Sequence, residues 1–348
     1  MYSKVSTAPF NDFTKSNSLR TILFLAALLP QLAMLFVTQS WKSLAIILCA
    51  VLGCALSEAD AIFKKQSRRL ALSYSLFAGT LTGFFLPADY PPASVFFITF
   101  IFMYATRVVF GQTGVSWINP VALTVAAAWF MGRTSFGSFL IGGADLAAKN
   151  PSLALIDGAM LTNGVDEKIT LFLNDNVFSL FGVSIPNGYV SLFWDTRAAV
   201  PAFRFAFWTM LSSLFLFAFD LKRPSASLCF LLAYFALVKF VSPLFTGAPP
   251  MGGDVLLAML SSGLLFASVF LLQWPGTYPL SLPGKTAYAL ICSVIAFAFC
   301  GTGTSPAGAA LTILFGNIIS PALQAAENKS LKKKLSALLA AKLGEEAR

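Results

Sequence analysis

Long blocks of apolar residues, separated by short polar connections, dominate this chain. Their approximate bounds are 21–38, 43–62, 70–87, 93–110, 119–132, 199–219, 226–245, 254–273, 286–300 and 309–323. A transmembrane helix needs about 20 predominantly apolar residues, so each block is close to the length of one span. The residue-by-residue alternation of a membrane β-barrel is not seen. The pattern predicts an all-α polytopic membrane protein with about ten transmembrane helices.

The composition of the chain supports this prediction. Of its 348 residues, 57% are hydrophobic and 11% are charged. A soluble domain averages about 25% charged residues, so this chain has too few polar side chains to cover a water-exposed surface. The composition therefore excludes a soluble enzyme, and it excludes a nucleic-acid-binding protein despite the net charge of +9.

Histidine and cysteine usage narrows the possible chemistry further. The sequence contains no histidine and no Cys-x-x-Cys pair. It therefore offers no histidine ligand for haem, no serine–histidine triad and no typical cysteine motif for an iron–sulfur cluster. The five cysteines lie in or at the ends of apolar blocks, where free cysteine behaves as a small hydrophobic residue.

Lysine and arginine are distributed unevenly over the connections between the apolar blocks. With the N-terminus placed inside, the basic residues on the outer side are Lys42, Arg133, Lys149, Lys168 and Arg197, and most of the others fall inside. Cytoplasmic loops carry the excess of basic residues, so we expect both termini to lie in the cytoplasm. In a bacterial cell this would be the inner membrane.

This topology divides the chain into five parts. Residues 1–20 form a cytoplasmic N-terminus, 21–132 a first unit of five helices and 133–198 an extracytoplasmic loop. A second unit of five helices covers 199–323, and a basic cytoplasmic tail covers 324–348. The tail has the pattern of an amphipathic helix that lies on the membrane surface, and a solvated stub is the alternative.

Two glycine-rich segments occupy equivalent places in the two units. Residues 111–116 (GQTGVS) and 301–305 (GTGTS) each precede the last helix of a unit. Because each unit has an odd number of helices, its two copies would cross the membrane in opposite senses. Such inverted repeats place ligand or ion sites near the midplane. Close helix packing is the alternative explanation for small residues such as Gly79 and Gly263.

Several short motifs occur along nearly the whole chain in a specific order. They are STAPF at 6–10, WINPVA at 117–122, LSSG at 260–263, PGK at 283–285 and PAGAAL at 306–311, with Asn317 and Pro321. In these motifs the chain resembles the NqrB/RnfD family, the membrane subunits of ion-translocating NADH:quinone and ferredoxin:NAD oxidoreductases. It resembles the RnfD type more closely.

The resemblance implies a flavin mononucleotide (FMN) joined by a phosphoester to a threonine in an outward-facing loop. The family pattern there is Asp-x-x-(Ser/Thr)-x-Ala-Thr, and overlaying it from Asp157 puts Met160 at the hydroxyl position and Asn163 at the acceptor. Thr162 is one residue away, so it becomes the candidate attachment residue if the loop is shifted, with Asp157 and Gly158 beside it. A loop without flavin is the alternative.

Further expectations come from the same resemblance. A second, non-covalent flavin (riboflavin) would bind between the helices. Arg204, which the apolar pattern places inside the sixth helix near its outer end, is a candidate to contact a flavin phosphate. The alternative for this arginine is that it extends to the membrane surface.

Two positions depart from the family pattern. The chain has Gln273-Trp274-Pro275 where the family usually has Thr-Asp-Pro, and Cys300 where it usually has an arginine. The resemblance, together with these departures, implies a diverged subunit that passes electrons through flavin, coupled to ion translocation. Its partners would be the lipid bilayer and subunits that hold iron–sulfur and flavin centres. The alternatives are a small-solute channel or secondary transporter, or a scaffold subunit without a cofactor.

Overall fold

The computed structural model describes residues 16–63, 68–111, 116–136, 164–182, 184–185, 187–246, 254–279, 281–301 and 305–346. Within these ranges every regular element is a helix. The fold is therefore all-α over the part of the chain that the structure describes, as the apolar blocks predict.

Fifteen α-helices succeed one another along these ranges. They are α1 (Asn17–Val37), α2 (Trp41–Ser57), α3 (Ala59–Phe63), α4 (Arg68–Phe84), α5 (Pro92–Ala105), α6 (Pro120–Met131), α7 (Gly164–Asn176), α8 (Tyr189–Trp194), α9 (Ala206–Ala218), α10 (Pro224–Ala236), α11 (Ser242–Thr246), α12 (Val255–Ser261), α13 (Leu264–Phe270), α14 (Leu282–Cys300) and α15 (Gly308–Glu346). The π-helical turn Thr106–Phe110 extends α5, and Leu237–Val241 joins α10 to α11. Each apolar block of the sequence contains helix, but residues 204–205 in the block 199–219 and residues 262–263 in the block 254–273 are not helical.

Among the residues that the structure describes, five helical segments are long and apolar enough to cross a membrane. They are Asn17–Val37, Pro92–Phe110, Pro224–Phe245, Leu282–Cys300 and Gly308–Ser336. Less than half of the most apolar window of each is buried inside the protein, so large apolar side chains face outward, as lipid contact requires. Three shorter apolar helices, α2, α6 and α9, accompany them. These features define a membrane protein.

The starts of several helices are fixed by side chains that cap free backbone N–H groups. The Ser16 hydroxyl accepts a hydrogen bond from Leu19 N, and the Ser281 hydroxyl accepts one from Gly284 N. Proline occupies the first turn of α5, α6, α10 and α14, where its missing N–H costs nothing. These residues set the ends that hydropathy alone locates only approximately.

Glycines allow α2 to pack closely against α4 and α5. A Cβ atom on Gly79 would lie 2.5 Å from the Cα of Val51, and one on Gly83 would lie 2.5 Å from the Cα of Ile47. A Cβ on Gly53 would lie 2.6 Å from the carbonyl oxygen of Phe96. Small residues are the usual means of close helix approach in membranes, and at Gly79 the packing explanation is confirmed.

The helix pairings of the first half recur in the second. In the first half α2 packs against α4 and α5, α5 against α6, and α1 against α4. In the second half α10 packs against α12, α13 and α14, α14 against α15, and α9 against α13. The halves meet where α1 contacts α9 and where α6 contacts α15.

In the second half, the counterpart of α4 is interrupted. Ser262 and Gly263 separate α12 from α13, whereas the equivalent α4 is continuous. Gly263 has a φ of +69°, a conformation that other residues rarely adopt, and a Cβ there would overlap the ring of Phe203. Close packing alone is therefore an incomplete explanation of Gly263, because the turn between the two helices also requires it.

The basic tail continues the last helix. α15 is a single helix of 39 residues, which at 1.5 Å per residue is about 58 Å long. The hydrocarbon core of a bilayer is about 30 Å thick, so a large part of α15 extends beyond it. The tail through Glu346 is thus part of α15, in place of a separate surface helix or an irregular stub.

Candidate functional site

The sequence-predicted attachment loop lies outside the described residues. Asp157, Gly158 and Thr162 all belong to it, and the described chain resumes at Gly164, where α7 begins. The described residues between 164 and 205, from α7 to the start of α9, are called the outer segment because the charge-based topology predicts them outside. The structure shows how this segment is held against the helices.

A buried carboxylate organises the start of α7. Asp166 lies in the first turn of this helix and is only 4% exposed. One of its carboxylate oxygens accepts hydrogen bonds from Thr170 Oγ1 (3.0 Å) and Gly188 N (2.9 Å). The other accepts from the backbone N–H and the hydroxyl of Ser191, both at 2.6 Å. Asp166 thereby joins α7 to the start of α8, and sequence reasoning did not identify it.

A second carboxylate ties the outer segment to the membrane helices. The hydroxyl of Tyr189, the first residue of α8, donates a hydrogen bond to Asp254 Oδ2 at 2.8 Å. Asp254 Oδ1 accepts from Leu257 N at 3.0 Å and so caps α12. Together with Asp166, this contact fixes α7 and α8 over the start of α12.

Arg204 lies in front of α9, so its predicted position inside a helix is wrong. Its backbone is non-helical (φ −86°, ψ −141°), and it comes after a short 3₁₀ turn that starts at Pro201. Its Nε and Nη2 donate to the two carboxylate oxygens of Asp195 at 2.7 and 2.6 Å. Its Nη1 donates to the hydroxyl of Ser40 at 2.7 Å. This bidentate ion pair holds the Arg204 side chain against the outer segment, and α9 begins only at Ala206.

The ion pair also bears on the expected phosphate contact. All three guanidinium nitrogens of Arg204 already have protein acceptors, and the Arg204 and Asp195 side chains are 10% and 12% exposed. These bonds use three of the five N–H groups of the guanidinium. Arg204 thereby positions the outer segment, and its contact with a flavin phosphate stays a prediction.

A buried junction of two asparagines joins the halves. The Asn119 side chain caps α6 by accepting from Val121 N and Ala122 N, and its Nδ2 donates to Leu271 O at 3.2 Å. With the Asn317 amide in its hydrogen-bonded orientation, the Asn119 N–H donates to Asn317 Oδ1 at 2.8 Å. These asparagines belong to two of the sequence motifs, and neither is accessible to solvent.

The glycine-rich segments begin alike in both halves. Gly111 has a φ of +132° and Gly301 a φ of +53°, so each segment starts with a backbone conformation that favours glycine. Residues 112–115 and 302–304 lie outside the described residues. The expected midplane site therefore remains a prediction.

The residues at the two positions that depart from the family pattern are buried. Gln273 pairs with the backbone of Arg223, since its Oε1 accepts from Arg223 N (3.1 Å) and its Nε2 donates to Arg223 O (2.8 Å). Trp274 stacks on Phe77 with ring centroids 5.6 Å apart. Cys300 is packed beside Gly308. Packing and neutral hydrogen bonds occupy the positions where the family usually has charged side chains.

A charged cluster at the predicted cytoplasmic end was missed from the sequence. Arg107 Nη2 donates to Asp60 Oδ2 at 2.8 Å, and Nη1 donates to Ser57 O and lies 3.6 Å from Glu58 Oε2. Glu58 is only 2% exposed, so its carboxylate faces this cluster and not the surface. Its partner could have been anticipated, because the charge-based topology places Glu58 and Arg107 at the same end of neighbouring helices.

The fold defines the class of this protein as a polytopic helical membrane protein with a structured segment between its two halves. Residues 4–332 match the family model described as the NQR2, RnfD, RnfE family, and the chain belongs to that family. Its members are subunits of multi-subunit ion-translocating electron transport complexes. No curated protein matches the chain.

Proposed function

We propose that the chain is the membrane subunit of an Rnf- or Nqr-like complex, closest to the RnfD type, and passes electrons through flavin coupled to ion translocation. The observation that carries this proposal is the family match over residues 4–332. The partners would be subunits with iron–sulfur and flavin centres in the same inner membrane. The sequence itself offers no typical cysteine motif for such a cluster, so electrons would enter and leave through these partners.

The recurring helix pairings support two inverted repeats with ten spans in total. The pairings of α2 with α4 and α5, of α5 with α6 and of α1 with α4 have counterparts in the second half, and α1–α9 and α6–α15 join equivalent helices across the molecule. The glycines that open the two glycine-rich segments share a positive φ. With both termini in the cytoplasm, this arrangement would put α7 and α8 on the outer face.

Thr162 is the proposed attachment residue for FMN, with Asp157 and Gly158 in the same loop. It lies two residues before α7, and helix N-termini favour phosphate groups. The carboxylate of Asp166, in the first turn of α7, is satisfied by four donors. A bound flavin would supply the redox chemistry, while this chain's residues hold the loop in place. Riboflavin would be a second, non-covalent cofactor.

The test is to produce the full chain together with a flavin-transferring enzyme and to measure gel fluorescence and intact mass. We expect a mass increase of one FMN that Thr162→Ala abolishes, because the substitution removes the hydroxyl that forms the phosphoester. Ser179→Ala is the matched control, since Ser179 is an exposed hydroxyl in the same outer segment and its loss should change nothing.

Two results would count against the proposal at different levels. An adduct that survives Thr162→Ala would exclude this attachment site while retaining a flavoprotein. A purified chain that contains neither covalent nor non-covalent flavin would contradict the redox role. It would favour a scaffold subunit, or a channel or transporter. Met160 and Asn163, at the hydroxyl and acceptor positions of the family pattern, favour the same alternatives. Solute uptake into liposomes by the chain alone would then identify a transporter.

A further inference from the structure

A cavity of about 550 Å³ lies between the end of α2, α3 and the end of α5. Its volume is within the usual range for small-molecule pockets. One wall belongs to α5 and the π-helical turn after it, and the other belongs to the end of α2 and the start of α3. In the charge-based topology these parts of the chain all lie at the cytoplasmic surface, where lipid head groups meet the hydrocarbon region.

The wall that α5 contributes is largely apolar and open to the surroundings. Phe100 and Tyr104 both line the cavity, and their rings stack with centroids 6.1 Å apart. Tyr104 is 51% exposed, Val108 is 65% exposed, and Leu56 on the opposite wall is 47% exposed. These exposed side chains form an apolar strip beside the cavity, which suits an acyl chain.

Arg107 and Tyr104 supply the hydrogen-bond donors of the cavity. Arg107 Nη1 donates to Ser57 O at 3.0 Å and to Asp60 Oδ1, and Nη2 donates to Asp60 Oδ2 at 2.8 Å. These bonds use three of the five N–H groups of a guanidinium. The Tyr104 hydroxyl lies within electrostatic reach of Arg107 and makes no hydrogen bond among the described residues. Both side chains can therefore donate to an anionic oxygen in the cavity.

A carboxylate lies beside these donors. Asp60 accepts from Arg107 through both of its oxygens, yet its side chain is 58% exposed. An ionised carboxylate has about four acceptor sites, so Asp60 can accept an ammonium group while it keeps its bonds to Arg107. A ligand that carries a phosphate and an ammonium group a few bonds apart would match both charges.

We propose that this cavity binds a phospholipid whose head group carries a primary ammonium, such as phosphatidylethanolamine. Arg107 and Tyr104 would donate to the phosphate, Asp60 would accept from the ammonium group, and an acyl chain would lie along the apolar strip. Hydrogen bonds between ionised groups are the strong ones. Phosphatidylcholine has no N–H on its cationic nitrogen, and phosphatidylglycerol has no cation, so neither can donate an ammonium hydrogen bond to Asp60.

Native mass spectrometry of the full chain in detergent tests this proposal. Phosphatidylethanolamine, phosphatidylcholine and phosphatidylglycerol with identical acyl chains would be added at equal concentrations. We expect phosphatidylethanolamine to be retained preferentially. Asp60→Asn should lower its retention about tenfold, to the level of phosphatidylcholine, because it removes the charged acceptor of the ammonium group. Asp60→Glu keeps a carboxylate and should preserve the preference.

Tyr104→Phe tests the phosphate contact separately. It removes only the hydroxyl, so it should weaken the retention of phosphatidylethanolamine and of phosphatidylcholine alike, by about fivefold. Asp89→Asn is the matched control, because Asp89 is also an exposed carboxylate and pairs with Lys42 Nζ at 2.8 Å, but it lies at the predicted outer surface. It should leave the retention of every lipid unchanged, and gel filtration would verify that the variants remain folded.

Several results would overturn the proposal. Equal retention of phosphatidylethanolamine and phosphatidylcholine by the unaltered chain would do so, as would a preference that Asp60→Asn leaves intact or that Asp89→Asn removes equally. Stronger retention of phosphatidylglycerol, weakened by Tyr104→Phe, would assign the cavity to an anionic lipid instead. If Asp60→Asn does not fold, the selectivity of the unaltered chain and the effect of Tyr104→Phe still decide the question.

Discussion

Lys222 shows how single buried residues in this chain depend on partners that are distant in sequence. It lies in the connection between α9 and α10 and is only 6% exposed. Its Nζ donates to Phe270 O at 3.1 Å and lies 5.2 Å from the centre of the Phe24 ring, and no described carboxylate pairs with it. Burial lowers the pKa of Lys222 from 10.5 to about 7, because the charged form is poorly solvated.

This shift predicts a particular pH dependence of stability. Between about pH 7 and pH 10 the unfolded chain binds a proton at Lys222 that the folded chain has released, so the free energy of unfolding rises with pH in this window. Lys222→Met should flatten that rise. Thermal unfolding of the purified protein in detergent at several pH values measures it. Lys42→Met is the control, since Lys42 is exposed and paired with Asp89, and an unchanged slope in Lys222→Met would contradict the prediction.

Residue positions were predicted less well than helices, for a physical reason. Arg204 lies in an apolar stretch and was expected inside a helix, yet its ion pair with Asp195 holds it in a non-helical turn. Glu58 lies near the predicted inner end of an apolar block, yet its side chain is buried beside Arg107. In both cases a tertiary ion pair determines the position of the side chain, and local hydropathy contains no information about such pairs.

At the scale of elements, hydropathy located the helices but not their interruptions. Every apolar block contains helix, because about 20 apolar residues in lipid must satisfy their backbone groups internally. The break between α12 and α13 was not predicted, since small residues also occur inside continuous helices, as Gly79 does in α4, and the break depends on the φ of Gly263. The extension of α15 through the tail was also missed.

The contact between α2 and α4 gives a testable consequence. Gly79→Ala would place a methyl group 2.5 Å from the Cα of Val51, and backbone atoms cannot rotate away as a flexible side chain could. We expect the free energy of unfolding to fall by about 1–3 kcal/mol, as for other overpacked sites. Ala45→Val adds volume on an exposed face of α2 and should have little effect. Titration with a denaturing detergent measures both, and equal stabilities would contradict a direct backbone contact.

At the scale of the whole molecule, the sequence predicted the family and the membrane class, and both are confirmed. The order of short motifs was sufficient for the family, because a polytopic fold separates them by helices of similar length. The cofactor was less predictable, since the loop with Thr162 lies outside the described residues and the family register places Asn163 at the acceptor. The anchoring of α7 and α8 by Asp166 and Asp254 became visible only in the structure.

The most direct test of the proposed topology is which side of the membrane each part of the chain faces. Ser179→Cys in the outer segment and Ser336→Cys in the tail are both at exposed positions. They would be introduced after replacement of the two partly exposed native cysteines, Cys49 and Cys229, by alanine. A membrane-impermeant maleimide added to intact spheroplasts should label position 179 at once and position 336 only after permeabilisation. Labelling of both positions from the same side would contradict two five-helix units of opposite orientation.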